Sequence, residues 1–395
     1  MLRNKIVILL TVLLDMVGFG VVIASVPFRL EHINFPDYWS PILFTVFSLC
    51  TFLISPLMGS YSDRKGRKPV LLYSLMMSAV GWMLFSVSHT EVTLVLSTII
   101  CGLGAGNFSV AQSAMVDIAR DEKEKVKNLG WAGTVYGLGL LAGPVFGGIL
   151  GHYSSALPFF TVSLLSFLNL TLSFILLPET NKDKSPRGFL MNPFKPIMAS
   201  LAEEKTRFIF IVWFLFNVVI VGLNAIMIVY LHRVFELGAF AAGAFFSLGG
   251  LIIGFNQAIA IHSFWLKYFT GKKLIFMMLG VLAVSMLVMM SPHMFWFVWG
   301  VIFMSFAHAV LRVVLTSETF NLVSSDRKGE AAGILSALGA FAAVIGPALA
   351  GWVFAVRSYY PLLGGVAICL AALFIFHRNH HHLVIKRERI RNKTI

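Results

Sequence analysis

IVILLTVLLDMVGFGVVIASVPF, residues 6–28, is a run of 23 residues with a single charge, Asp15. A helix needs about 20 mostly apolar residues to cross the hydrocarbon core of a bilayer, and this run meets that length. It exceeds the apolar region of a cleaved signal and has no small-residue cleavage site, so it is expected to stay as the first membrane helix. Eleven more runs follow, near 40–59, 69–88, 93–117, 130–151, 156–178, 207–231, 240–262, 273–290, 294–320, 331–355 and 359–377. They are too long for barrel strands and lack strand alternation. The expected class is an all-α polytopic membrane protein with twelve transmembrane helices.

Composition agrees. Of 395 residues, 58% are hydrophobic and 12% charged, with 36 Phe and 17 Met and a mean hydropathy of +0.84. Soluble chains carry roughly a quarter charged residues, so two or three aqueous domains are excluded. Cys50, Cys101 and Cys369 all lie in apolar runs, which excludes a secreted disulfide scaffold.

The net charge of +13 is explained by its placement. With the N-terminus in the cytoplasm, 27 of the 31 Lys and Arg fall in inside segments. Outside are only Arg29, Arg233 and Arg357, and Arg312 is within a run. This asymmetry points to cytoplasmic N- and C-termini. The basic residues then fix topology and face anionic lipid, with no nucleic acid required. The absence of long outside loops suits a bacterial inner membrane.

Residues 179–206 are the longest polar connection, rich in Lys, Asp, Glu and Pro. They are read as a cytoplasmic linker, with Phe189–Leu201 lying along the membrane surface. The flanking halves look duplicated. Gly143-Pro144 recurs as Gly346-Pro347 at an offset of 203, Gly66 as Gly271 at 205, and Asp117 as Glu318 at 201. The expected division is a six-helix bundle over 1–178, the linker 179–206, a second bundle over 207–378, and a basic tail over 379–395. An even number of helices per repeat gives both halves one orientation.

The connection after the second run reads Gly59-Ser-Tyr-Ser-Asp63-Arg64-Lys65-Gly66-Arg67-Lys68. Gly59 would allow close helix approach and Gly66 a tight turn. Asp63 near the start of helix three would meet the positive end of its dipole, and Arg67 could reach Asp117. The stretch resembles the GxLxDRxGRK signature of the major facilitator superfamily, lacking only the apolar third residue. That resemblance implies two six-helix bundles with pseudo-two-fold symmetry around a central cavity lined by helices one, four, seven and ten. It also implies that this cluster latches the cytoplasmic side in the outward-open state. Glu318 is read as mirroring Asp117 as a gate residue near Arg327.

In the fifth run, Gly137, Gly139, Gly143, Pro144, Gly147 and Gly148 form a GxGxxxGPxxGG pattern. Small residues at such spacing let helices pack closely and proline kinks them. The pattern resembles the antiporter motif of proton-exchanging exporters in that superfamily. Leu14-Asp15-Met-Val-Gly18-Phe-Gly20 and Leu177-Pro178-Glu179-Thr180 are similar to its tetracycline and multidrug group. One feature departs: the group's fourth helix usually carries an arginine four residues before a glycine, and here Thr98 precedes Gly102.

Ionisable groups inside a span are costly and mark function. Asp15 and Arg312 would sit on cavity helices of opposite halves and form or alternate in an ionic contact. His308, one turn from Arg312, points to the same side. Arg312 favours an anionic or zwitterionic cargo, whereas a drug exporter's ordinary cargo is a lipophilic cation. Asn107, Gln112, Asn217, Asn224, Asn256 and Gln257 add polar groups at cavity depth, and Trp131, Tyr136, Trp213 and Phe216 would supply aromatic walls. His377, His380, His381 and His382 lack carboxylate or Cys company and are read as a basic tail, not a metal site. Asn107 and Asn169 match the glycosylation pattern but lie within helices. No phosphate-binding loop, HExxH or nucleophile elbow occurs, so no cofactor, metal or catalytic residue is expected.

The functional expectation is a monomeric secondary transporter, not an enzyme, exporting small amphipathic organic molecules against inward proton flow. A proton symporter or importer of an anionic metabolite and a non-transporting ligand sensor stay as alternatives.

Overall fold

A computed structural model describes residues 2–105, 107–181, 194–202, 204–324 and 327–391. Among them are twelve helices long and apolar enough to cross a membrane. In chain order these spans are Asn4–His32, Trp39–Lys65, Arg67–Ser86, Glu91–Asp117, Lys123–Tyr153, Leu157–Leu176, Thr206–Phe235, Ala239–Ile261, Gly271–Met289, Met294–Leu322, Lys328–Val356 and Tyr360–Asn379. Of the linker, residues 182–193 and 203 lie outside the described residues, and with them the first five residues of Phe189–Leu201, as do the side chains of His380, His381 and His382; Lys195–Ala202 is helical.

Three local features depart from the runs. The Gly59–Lys68 stretch is barely a loop: span two continues to Lys65 and span three begins at Arg67. Gly66 alone separates them, at φ 114°, a backbone region open mainly to glycine. Span four is not one helix but two, Glu91–Gly104 and Asn107–Asp117, with Ala105 extended at φ −71°, ψ 136°. Gly104 is the last residue before the break, and glycine costs about 1 kcal/mol against alanine in a helix interior. Span eight is α-helical to Phe255 and then widens into a π-helix over Asn256–Trp265.

By packing, the chain divides into two compact units. Unit 1 holds Met1–Pro193 and Ala225–Gly250; unit 2 holds Phe194–Asn224 and Leu251–Ile395. The packing boundary therefore runs through spans seven and eight.

In unit 1, spans one and five make the closest seam. A Cβ on Gly143 would lie 2.6 Å from Gly20 Cα, one on Gly139 3.0 Å from Leu13 O, and one on Gly147 2.7 Å from Val21 O. The i, i+4, i+8 stripe of the glycine motif is what lets the two backbones touch. Gly148, on the next face, meets the start of span eight, where a Cβ would lie 2.5 Å from Phe240 Cα. Around this seam, Ile8, Val12, Leu71, Val110, Met115 and Leu177 form one buried cluster. Asn169 is buried in span six, donating to Thr11 O at 3.3 Å.

Unit 2 repeats the close approach. A Cβ on Gly346 would lie 2.6 Å from Val218 O, and one on Gly222 2.8 Å from Gly346 O. Gly222 follows Gly20 by 202 residues and Gly346 follows Gly143 by 203, so both units use glycine at equivalent crossings.

Candidate functional site

Asp15 borders a cavity of about 310 Å³ inside unit 1. Helical spacing assembles its walls. Asp15 and Phe19 share a face of span one, Phe47, Thr51 and Ser55 a face of span two, and Ser78 and Trp82 a face of span three. Span four contributes Cys101 before its break, Ala105 at the break and Phe108 and Ser109 after it. Tyr136 enters from span five, its ring 4.4 Å from that of Phe108. Asp15 is half-buried. The site is thus one carboxylate with hydroxyls from several spans and aromatic faces between them. Such walls suit a ligand with a polar or charged head and an apolar body.

A smaller cavity of about 50 Å³ shares Phe19, Phe47 and Trp82 with the first and is otherwise mainly aliphatic and aromatic. Thr98 lines it. Thr98 is buried, and its hydroxyl donates to Leu94 O at 2.8 Å within its own helix. It contributes no charge to either cavity.

The remaining cavity candidates are less uniform. Gln112, Asn217, Asn224 and His308 are half-buried, while Arg312 and Trp131 are exposed. Asn217 Nδ2 donates to Trp213 O at 2.8 Å, one turn back. The His308 ring lies 5.7 Å from that of Phe216. Gln257 Nε2 is buried without a hydrogen-bond partner. Nothing is described of the Asn107 side chain. Asp15 belongs to unit 1 and Arg312 to unit 2.

Three expectations change. Trp213 is core, its indole donating to Leu335 O at 2.9 Å, and Phe216 is fully buried. Neither is an aromatic wall. Asn256 is a structural link, donating to Phe306 O at 3.2 Å and accepting from Trp265 Nε1 at 2.9 Å. It joins the π-helix of span eight to span ten.

The charged motif forms a second cluster. Arg67 is buried and bonds Asp117 Oδ2 at 2.9 Å, Asp63 Oδ1 at 2.5 Å and Ser62 Oγ at 2.7 Å. Asp63 is in the last turn of span two, not at the start of span three. The carboxylate at that start is Glu179, accepting from the backbone N–H of Arg67 at 2.8 Å and of Lys68 at 3.2 Å. Asn181 follows it, donating to Asp63 O at 2.9 Å. Residue-by-residue reading missed both partners. The available signal was an acidic residue directly after span six, at the start of the polar connection. Arg64 is exposed, and Gly59 has open space where a Cβ would stand, so no close approach requires glycine there.

In unit 2, a Cβ on Gly271 would lie 2.3 Å from Glu318 Oε1. Glu318 thus sits against the start of span nine, while Arg327 pairs with Glu330 at 3.0 Å.

Residues 8–264 match the model of the Major Facilitator Superfamily. The chain is 27% identical to the class C tetracycline resistance protein of Escherichia coli over 89% of this chain and 90% of that one. It is 25% identical to the quinolone resistance protein NorA of Staphylococcus aureus, strain MRSA252, over 93% and 94%. Among solved structures, the nucleoside transporter NupG superposes with a TM-score of 0.78 at 13% identity, covering 95% of this chain and 99% of that one. The human organic anion transporter MFSD10 does so with 0.68 at 23% identity and the same coverages. A family model that spans well over half of the chain and a twelve-helix fold shared with solved transporters lead to one conclusion: the chain belongs to the Major Facilitator Superfamily and is an integral multi-pass membrane transporter, not an enzyme.

Proposed function

We propose that this transporter exports small amphipathic organic molecules, drug-like compounds or metabolites, in exchange for protons. The observation that carries the reading is Asp15 in the aromatic, hydroxyl-lined cavity of unit 1. A carboxylate held away from bulk water is stabilised by a proton or by a positively charged group of a ligand. Competition between the two at one site is the physical basis of exchange. The glycine pattern of span five, and relatives named for resistance to tetracycline and quinolones, support export over import.

In this reading the halves 1–178 and 207–378, joined by 179–206, rock to give alternating access, as a monomer in the bacterial inner membrane. Both termini are cytoplasmic, as the charge asymmetry favours. Asp15, Arg312, His308, Asn107, Gln112, Asn217, Asn224, Gln257, Trp131 and Tyr136 form the pathway. Gly59, Asp63, Arg64, Gly66, Arg67, Asp117 and Glu318 form the cytoplasmic gate, and Gly139, Gly143, Pro144, Gly147 and Gly148 the antiporter-type motif of span five.

A second reading, symport or import of an anionic metabolite, draws on the exposed Arg312 within span ten and on Thr98 where the exporter group carries arginine. The experiment is proton flux in liposomes under an imposed pH gradient while lipophilic cations and organic anions are added in turn. Proton efflux from acid-loaded vesicles on adding cargo outside is expected. Protons moving with the cargo would replace this reading by the second, and counterflow of labelled cargo separates either from a ligand sensor.

A further inference from the structure

At one end of unit 1 the last turn of span one meets the last turn of span seven. His232 Nε2 lies 3.0 Å from Glu31 Oε2, and His232 Nδ1 lies 3.0 Å from the backbone oxygen of Leu237. The Phe28 ring packs 4.9 Å from the imidazole, edge to face.

Donor counting decides what this arrangement needs. A carbonyl oxygen only accepts, so Nδ1 carries a hydrogen. A neutral imidazole has then no hydrogen left for Nε2, which would point a lone pair at an ionised carboxylate. The contact closes only with one additional proton, on the ring or on Glu31. Either placement gives the same total: the closed pair holds one proton more than a neutral histidine beside a carboxylate.

The surroundings favour that proton. His232 is in the last turn of its helix, where the dipole favours a cation, and Glu31 ends its own helix, where a carboxylate needs one. From the loop after span one, Asp37 pairs with Arg233 at 3.7 Å. Glu236 follows span seven, and His32 and His152 border the same cavity as Glu31. Arg29 is turned away, bonded to Ser86 O and Ser88 O at 2.9 and 3.0 Å. The Glu31 side chain is 58% exposed and that of His232 29%, so the pair exchanges protons with water at its own end.

We propose that Glu31 and His232 form a proton-operated latch that holds spans one and seven together at this end and weakens when the proton leaves. The proton is taken up on closure and returned to the same side on opening. The latch therefore carries no net proton across the membrane; it sets how pH on that side biases the open and closed states. Its role in transport rests on the alternating-access reading above, whereas its proton count does not.

The test uses the full chain in liposomes, with Cys50, Cys101 and Cys369 changed to alanine and spin labels at Ser154 and Gly238, which border the cavity at this end. Distance distributions are measured between pH 8.5 and 5.5. The closed fraction is expected to rise on acidification, changing the closed-to-open ratio about two- to fivefold, the effect of a half-exposed ion pair. Glu31→Gln and His232→Gln, which can bond without the extra proton, should flatten the response. Asp37→Asn should shift the ratio while keeping the slope. A flat response in the parent, or an undiminished one in either Gln variant, overturns the latch. Proton–cargo exchange on the same vesicles separates the two readings. Intact exchange with flat distances removes the latch alone, and a pH-dependent distance without exchange removes the exporter reading alone.

Discussion

Glu179 accepts the backbone N–H of Arg67 at 2.8 Å across the single-residue hinge at Gly66, 112 positions away in the chain. A Cβ at Gly66 would lie 2.1 Å from Glu179 Oε2, so this glycine is required twice, by its φ and by the carboxylate beside it. The dipole of span three and the cation of Arg67 are met by different acids: Glu179 takes the amides, while Asp63 and Asp117 take the guanidinium.

Glu179→Ala should therefore act through span three. Losing a charged cap at a helix N-terminus costs about 1–2 kcal/mol. The melting temperature in detergent should fall, and Glu179→Gln should recover part of the loss. Unchanged melting in Glu179→Ala would contradict the capping role.

The glycines of span five should be unequal. Gly139→Ala and Gly143→Ala place a methyl against the backbone of span one and should destabilise by about 1–3 kcal/mol. Gly133→Ala and Gly137→Ala, where nothing lies within 4 Å of the new Cβ, should be neutral or stabilising by up to about 1 kcal/mol. Thermal unfolding of the four variants checks the contrast, and equal losses would remove the close seam.

Asp15→Asn keeps the volume of the cavity side chain and removes its charge. Proton-driven accumulation of cargo should be abolished while the folded fraction in detergent stays at the parental level. Parental proton coupling in this variant would take Asp15 out of the exchange.

Asn256→Ala should destabilise by about 1–3 kcal/mol by leaving the Trp265 indole N–H and Phe306 O without this partner. Arg312→Ala should leave stability within about 0.5 kcal/mol, as expected for an exposed side chain, and weaken anionic cargo more than cationic cargo. Equal losses for both cargo types would give Arg312 a structural role.

The class of the protein was legible because a bilayer imposes a length and a polarity on each crossing segment, and both are local properties of the chain. The twelve runs correspond to the twelve spans, and the spacing of Gly139, Gly143 and Gly147 already marked one close-packing face. Likewise, Arg67 was within reach of Asp117 because both lie at the ends of spans. Partnerships set by folding were not legible. Glu179 and Asn181 reach the Gly66 hinge from the far end of the sixth span, and His232 reaches Glu31 across 200 intervening residues. The break at Ala105 was not legible because residues 93–117 form one continuous apolar run. The difference between Trp213 and Tyr136 was masked for a related reason. Helical spacing places a side chain on a face, but only the packing of neighbouring helices decides whether that face meets a cavity or is buried in the core.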